Sequence, residues 1–534
     1  MVTAALPEGA VLPLVREVTG SPDPLALYRA LSQGGRKPGT FLLESGETGA
    51  GAGERSLIGV SPALRITCTG RIAEVTALSA NGRSLLGWTA ARLDGLAQVS
   101  CGPDAVRAVF PAPPPGPRDE AARGRLPSPL DALRTVVMGP ALLAKPIDAC
   151  HLAAGVFSYD LVELFEELPV GRPEPSVTPH FEFVVPDRIV IVDHLRHRTL
   201  VVATAMGGVQ GEANYNDAVV AIGTLLRAVE AAGSAPPSCD PPILPSSDPP
   251  VLPSLDLSDD EFASLVVRLK RHIVAGDVFQ IVASRTFSLP CPDPLAAYGR
   301  LRVSNPSPYL FYVAGADSIV FGASPETAVK VSGAPRRVTI RPIAGTAARG
   351  RTAAGGIDSD LDARREAALR LDEKETAEHM MLVDLARNDV ARVSRPGTRQ
   401  VTRLLTVDRY AHVMHLVSEV QGDLADGHDA LHAYAAAMNM GTLVGAPKIR
   451  AAQLLREVEP SRRGAYGGAV GYLTQDGEMD TAIVIRAAVV REGVARVRAG
   501  AGIVFDSDPA SEALETRRKA EAVLRAIGSG GSHE

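Results

Sequence analysis

Aromatic residues make up only 4% of this 534-residue chain, and there is a single tryptophan. A sizeable core must therefore be aliphatic, and an apolar content of 46% supplies it. Cysteine is also scarce. The five residues Cys68, Cys101, Cys150, Cys239 and Cys291 are scattered and form no C-x-x-C, which argues against a disulfide framework or a zinc site. There is no basic tract, and the net charge is −6, so nucleic-acid binding has little electrostatic support. No apolar run approaches membrane-spanning length. The opening MVTAALPEGAVLPLVREV lacks a basic segment followed by a long apolar stretch, so no secretory signal is expected. These absences predict a soluble protein in a reducing, cytoplasmic setting, with neither nucleic acid nor membrane as partner.

Proline, by contrast, is concentrated. The run SAPPSCDPPILPSSDPPVLPSLD predicts an extended, semi-rigid linker over 234–257. It divides an N-terminal region, 1–233, from a second region, 258–527, that ends in a disordered tail, 528–534. PAPPPGP at Pro111–Pro117 predicts a surface loop. In the first region ALRITCTGRIAEVTAL reads as a hairpin around Gly70, and RIVIVDHLRHRTLVVAT as two strands joined by a polar turn. GVFSYDLVELFEEL reads as a strand running into a helix. The second region opens with a capping box, Ser258 to Glu261, before apolar residues at helical spacing. The strands DVFQIVASRTFSL, PYLFYVAG, SIVFGAS and RRVTIRPIAG follow. A long helix is then expected from about Asp358 to Val393, and a last one capped by Asp508 with Pro509 at its first position. The class is α+β, with hairpins rather than regular βαβ units.

Two carboxylate pairs carry the most chemical information. Glu375 and Glu378, and Glu512 and Glu515, each lie one turn apart on a predicted helix, where like charges cost roughly 0.2–0.5 kcal/mol. A solvated helix face is the ordinary explanation of one such pair. Two pairs meeting in space would instead make an oxygen-rich site suited to Mg²⁺. Other candidates surround them. Glu326, at a strand end in SPET, could be a proton donor if buried. Gly345 and Thr346 form a small-residue turn whose N–H groups could hold a carboxylate. His415 could present a neutral imidazole to a cleft. Gly500, Ala501 and Gly502 allow close backbone approach by an anion. Arg486, in the apolar segment TAIVIRAAVV, needs either an internal partner or an anionic ligand. Together they describe a cleft for a small polyanion bearing carboxylates.

At this point the chain resembles a known family, the chorismate-utilising enzymes, in their anthranilate synthase component I branch. The blocks that carry the resemblance include GDVFQIVASR, NPSPYLFYV, GASPE, RPIAGTAARG, DEKETAEHMMLVDLARNDVARV, MNMGTLVGAPKIRA and AGAGIVFDSDPASEALET, and they cover nearly all of about 260–527. The resemblance implies an anthranilate-synthase-like fold of two large, mainly antiparallel sheets packed in a sandwich and covered by helices. It implies that Glu378 and Glu515 ligate Mg²⁺, with Glu375 and Glu512 in support. Chorismate would be held by Gly345, Thr346, Tyr466, Arg486 and Gly500–Gly502. Glu326 would be the acid at the C4 hydroxyl, and His415 and Thr442 would line the ring. Ala344 and Gln280 stand where relatives with other products carry lysines, which points to attack by ammonia itself at C2.

The N-terminal segment FLLESGE is similar to the family's tryptophan-sensing segment. By that similarity Glu44, Ser45, Arg55, Pro308, Tyr309, Leu310, Val470 and Tyr472 form a feedback pocket, with Leu310 and Ala482 departing from the common residues. No cysteine sits in a glutaminase context, so ammonia would come from a partner glutamine amidotransferase subunit or from solution. The family pattern implies a heterotetramer of two large and two small subunits. Three other readings are an aminodeoxyisochorismate synthase of secondary metabolism, an aminodeoxychorismate synthase, and a non-catalytic tryptophan-binding descendant.

Overall fold

The computed structural model describes residues 6–46, 54–114, 124, 126–169, 178–234, 252–352, 355–410 and 413–528. Most of the proline-rich linker, the end of the Pro111–Pro117 loop and the 529–534 tail lie outside these residues. Both expected hairpins are present. Arg55–Thr69 pairs with Ile72–Ala77 across Gly70, whose φ is +55°, and Phe181–Asp193 pairs with Arg198–Met206. The capping box closes as expected, with Ser258 and Glu261 exchanging hydrogen bonds at the start of the Asp259–Val274 helix.

Several elements differ from expectation. The long helix is two, Ser359–Leu371 and Glu373–Ala391. Asp372 between them has extended backbone (ψ 110°), and its carboxylate accepts from the Glu375 N–H as an N-cap. The helix expected after GVFSY is a short 3₁₀ turn, Tyr159–Leu164. RRVTIRPIAG supplies two strands, Arg337–Ile340 and Ile343–Ala348. The end of the linker is ordered, because Ser254–Leu255 pairs with Phe287 and Ser288. Gly528, placed in the expected tail, completes the last helix, Pro509–Gly528.

Among the described residues 24 strands join into one hydrogen-bonded network, antiparallel except where Ala10–Thr19 meets Ala141–Leu142. The sheets expected as two are thus continuous. Strand residues such as Phe41, Ile191, Val202, Phe311, Val470 and Ala482 face one another in a core with little helical contribution. Helices cover the outer faces, the last helix through Val523 and the 430–437 helix through Tyr434. The few aromatics are pooled, with Phe157 stacked on Tyr434 at 4.1 Å and 4.5 Å from Phe183. Strands of the two halves are interleaved. Thr40–Ser45 pairs with Tyr309–Ala314, and Leu152–Phe157 with Ala469–Thr474. No described helix is long and apolar enough to cross a membrane.

Candidate active site

Strand pairing brings the glycine edge and Gln280 together. Gln280–Pro290 runs antiparallel to Val494–Ile503, setting Gly502 opposite Val282 and Gly500 opposite Ser284. A Cβ on Gly500 would lie 2.6 Å from the Ala283 carbonyl and 2.8 Å from the Tyr466 hydroxyl, and one on Gly502 would lie 2.9 Å from Gln280 Nε2. The fixed backbone at Gly500 therefore requires glycine, whereas a Cβ on Gly502 would displace the Gln280 carboxamide. Gln280 Nε2 donates to Glu378 Oε1 at 2.7 Å, which ties this edge to the 373–391 helix. Gln280 Oε1 is buried with no hydrogen-bond partner.

The carboxylate pairs occupy the starts of two helices, Glu373–Ala391 and Pro509–Gly528. Burial raises the pKa of Glu375, and the charges of Glu378, Asp372 and Glu515 add to it. Glu512 is raised by burial and by Glu515, and its Oε2 is buried without a hydrogen-bond partner. Lys519 pairs with Glu515 at 2.6 Å and also donates to the Gly500 carbonyl at 3.0 Å. Among the described residues no three His, Cys, Asp or Glu side chains already form a metal cage. Mg²⁺ commonly uses only one or two carboxylates and takes the rest from water and substrate. The repelling carboxylates and the orphaned Glu512 oxygen fit that mode of binding.

Glu326 lies between strands Ile319–Ser324 and Thr327–Ser332, 7% exposed, and accepts from Thr442 Oγ1 at 3.0 Å. Burial pushes its pKa up to about 8, with the Thr442 bond and the Arg486 charge opposing. At neutral pH it is a protonated acid. His415 pairs with Thr346 across the strands, and its Nδ1 lies 2.9 Å from Thr346 Oγ1. Burial and Arg486 depress its pKa to about 4, so the ring is neutral. Gly345 forms a bulge with φ +80°, and a Cβ there would approach Glu375 Oε2 at 3.3 Å.

Arg486 is not inside a strand, as its apolar neighbours suggest. It sits in the bend between Met479–Ile483 and Ala487–Arg491, with φ +50°. Its carbonyl accepts from Ala323 N at 3.1 Å, but its guanidinium makes no hydrogen bond to another described residue, although Tyr466, Glu515 and Glu326 act on it electrostatically. A half-buried guanidinium in strained backbone without an ion-pair partner suits an anionic ligand.

A separate cavity of about 610 Å³, including its open mouth, gathers Glu44, Ser45, Arg55, Tyr309, Leu310, Val470 and Tyr472. Ala482 also lines it. Pro308 does not; its carbonyl accepts from Gly46 N at the rim of the strand. Lys330 and Asp480 were not anticipated. Asp480 accepts from the Tyr309 hydroxyl at 2.9 Å and pairs with Lys330 at 3.1 Å. The Glu44 carboxylate is already engaged, by Tyr298 at 2.5 Å and Arg302 at 2.9 Å.

Comparison with known proteins shows the family to which the chain belongs. Residues 121–525 match the family model described as chorismate binding enzyme. Anthranilate synthase component 1 of Vibrio cholerae is 48% identical over 96% of this chain and 95% of its own length. The Escherichia coli protein of that name is 45% identical over 95% and 94%. The pyocyanine-specific component 1 of Pseudomonas aeruginosa is 47% identical over 95% and 92%. Among solved structures, anthranilate synthase component I of Streptococcus pneumoniae superposes with a TM-score of 0.64 at 27% identity, covering 88% of this chain and 92% of that one. The menaquinone-specific isochorismate synthase of Escherichia coli shares the fold, with a TM-score of 0.66 at 16% identity over 98% and 96%. The chain is an enzyme of the chorismate-binding family and belongs, within it, to the anthranilate synthase component 1 proteins.

Proposed function

We propose that the chain converts chorismate and ammonia to anthranilate and pyruvate, the first step of tryptophan biosynthesis, with Mg²⁺, and is inhibited by tryptophan. Gln280 carries this reading. Where a lysine would activate water, a carboxamide held by Glu378 leaves a buried acceptor, Oε1, suited to an ammonia N–H. Arg486 and the glycine edge hold the substrate carboxylates. Ammonia forms the C2–N bond as the ring double bonds shift and the C4–O bond breaks. Glu326 gives its proton to the departing hydroxyl, which leaves as water, and Thr442 orients the acid. Neutral His415, held by Thr346, lines the ring. The added nitrogen and then C2 each lose a proton to solvent, the C3–O bond breaks, and the enolpyruvyl group takes a proton at its methylene carbon to leave as pyruvate, yielding the aromatic product. Mg²⁺, when bound by Glu378 and Glu515 with Glu375 and Glu512 behind them, offsets the substrate's negative charge. A glutamine amidotransferase subunit, component II, supplies the ammonia in a heterotetramer, and the cavity beside Arg55 and Tyr472 receives tryptophan.

Chorismate, ammonium and Mg²⁺ should give fluorescent anthranilate and pyruvate in equal amounts. Chelation should abolish turnover, and tryptophan should suppress it. Isochorismate, salicylate or a 4-amino product would overturn the reading. An aminated product without pyruvate would favour the secondary-metabolite alternative.

A further inference from the structure

Beneath the cleft lies a charge cluster that takes no part in the chemistry above. Glu459 follows the Lys448–Val458 helix and is 6% exposed. Its Oε1 accepts from Ser284 N at 2.9 Å, Ser284 Oγ at 2.8 Å and Arg463 Nη2 at 2.7 Å. Its Oε2 accepts from Arg463 Nε at 2.9 Å and Arg498 Nη2 at 3.0 Å. The two guanidiniums then reach onward. Arg463 donates to the Leu443 carbonyl at 2.5 Å and the Val282 carbonyl at 2.6 Å, and lies 5.8 Å from the Tyr466 ring centre. Arg498 donates to Ser284 Oγ at 2.8 Å and the Arg462 carbonyl at 2.7 Å.

Every one of these contacts falls beside a residue of the cleft. Val282 and Ser284 follow Gln280 on its strand. Leu443 is next to Thr442. Arg463 begins the turn that carries Tyr466. Arg498 precedes Gly500 by one strand repeat. The buried carboxylate thus binds Ser284, Arg463 and Arg498 directly and reaches Leu443 through Arg463, tying together four segments that each carry a group assigned to the cleft. Two arginines surround it, so the carboxylate holds together groups that would otherwise repel. Removing one member of such a network leaves buried charge uncompensated and frees the segments to shift.

We infer that Glu459 is a positioning residue that sets the spacing of the substrate cleft, acting through Arg463 and Arg498 on Gln280, Thr442, Tyr466 and Gly500. This rests on the assignment of that cleft to chorismate. It goes beyond that assignment in giving the cleft's dimensions to a residue that touches neither substrate nor metal.

The test compares Glu459→Gln, Arg498→Met and Leu454→Ala. Leu454 is a buried residue on the adjoining helix that shares an apolar core with Tyr159, Ile281 and Ala501 but leaves every hydrogen bond of the network in place when shortened. For each, kcat, the KM for chorismate, chorismate affinity by calorimetry and thermal stability are measured. Glu459→Gln and Arg498→Met should weaken chorismate KM and affinity by about tenfold or more. Leu454→Ala, at a comparable loss of melting temperature, should leave both within about twofold. Equal KM shifts in all three would show that Glu459 merely supports the fold, and unchanged affinity in a folded Arg498→Met protein would also sink the inference. Arg498→Met keeps the Glu459–Arg463 pair and so carries the test if Glu459→Gln does not fold. If the wild-type product proved not to be anthranilate, chorismate calorimetry would still read the cleft, so the two failures are distinct.

Discussion

Burial turns Glu326 from an ordinary surface carboxylate into an acid. Its folded pKa of about 8 lies above the usual value of 4.5. The folded state therefore holds more protons than the unfolded chain between these pH values, and the stability cost of the group grows as pH rises through that window. Two outcomes are expected together. The turnover rate should fall as pH climbs through about 8, because the proton donor is lost. Glu326→Gln should cut turnover by roughly 10²–10⁴-fold, yet melt at or above the wild-type temperature at pH 8. A pH–rate profile and paired melting curves check both. His415, depressed to about 4, should contribute no inflection between pH 5.5 and 7.5, a window set by its distance from the usual ~6.5. Much of this site was legible at the residue scale. SPET marks an acid at a strand end, and the AHVMHLV alternation places His415 on one strand face. Thr442 as the partner of Glu326 was not legible from spacing, because the two lie 116 residues apart and meet only through the fold.

At the scale of elements, the legible features were those with local causes. The Ser258 box, the hairpin at Gly70 and the Asp508–Pro509 start all rest on residues within one turn. The break at Asp372 escaped notice because its neighbours, LRLDEKETAEH, are good helix formers on both sides. What ends the first helix is a cap competing with propagation. This cap sets where the 373–391 helix begins, and so where Glu375 and Glu378 point. Asp372→Ala should cost about 1 kcal/mol of stability and raise the Mg²⁺ concentration needed for half-maximal activity, with tryptophan sensitivity unchanged. Denaturant melts and a Mg²⁺ titration read the two effects separately. Arg486 escaped for the opposite reason. Its apolar neighbours predict a strand, and the bend that frees its guanidinium has no glycine or proline to announce it. Lys330 and Asp480 were invisible because they meet by lateral strand pairing, and of the Glu459 network only Arg463 lies at helical spacing, while Ser284 and Arg498 come from distant paired strands.

The whole molecule does not divide at its proline-rich segment. The candidate tryptophan cavity takes Glu44, Ser45 and Arg55 from before that segment and Tyr309, Val470 and Tyr472 from after it. The Phe41, Phe311 and Val470 core spans it as well. Residues 1–251 expressed alone should therefore lack partners for the Thr40–Ser45 and Leu152–Phe157 strands and expose their edges. Such a fragment should be recovered as aggregate, and co-expression with 252–534 should return soluble complex, as judged by size exclusion.

The same interleaving has a consequence for how the chain comes off the ribosome. Ser45 pairs with Tyr309, and Leu152 with Thr474. At ordinary elongation rates the first strand waits on the order of tens of seconds for its neighbour to be synthesised. Until then the nascent chain carries open strand edges, and closing such distant contacts is intrinsically slow. Synthesis, rather than the finished enzyme, is the stage at which this architecture is most exposed to aggregation, and the stage at which a holdase chaperone would matter most.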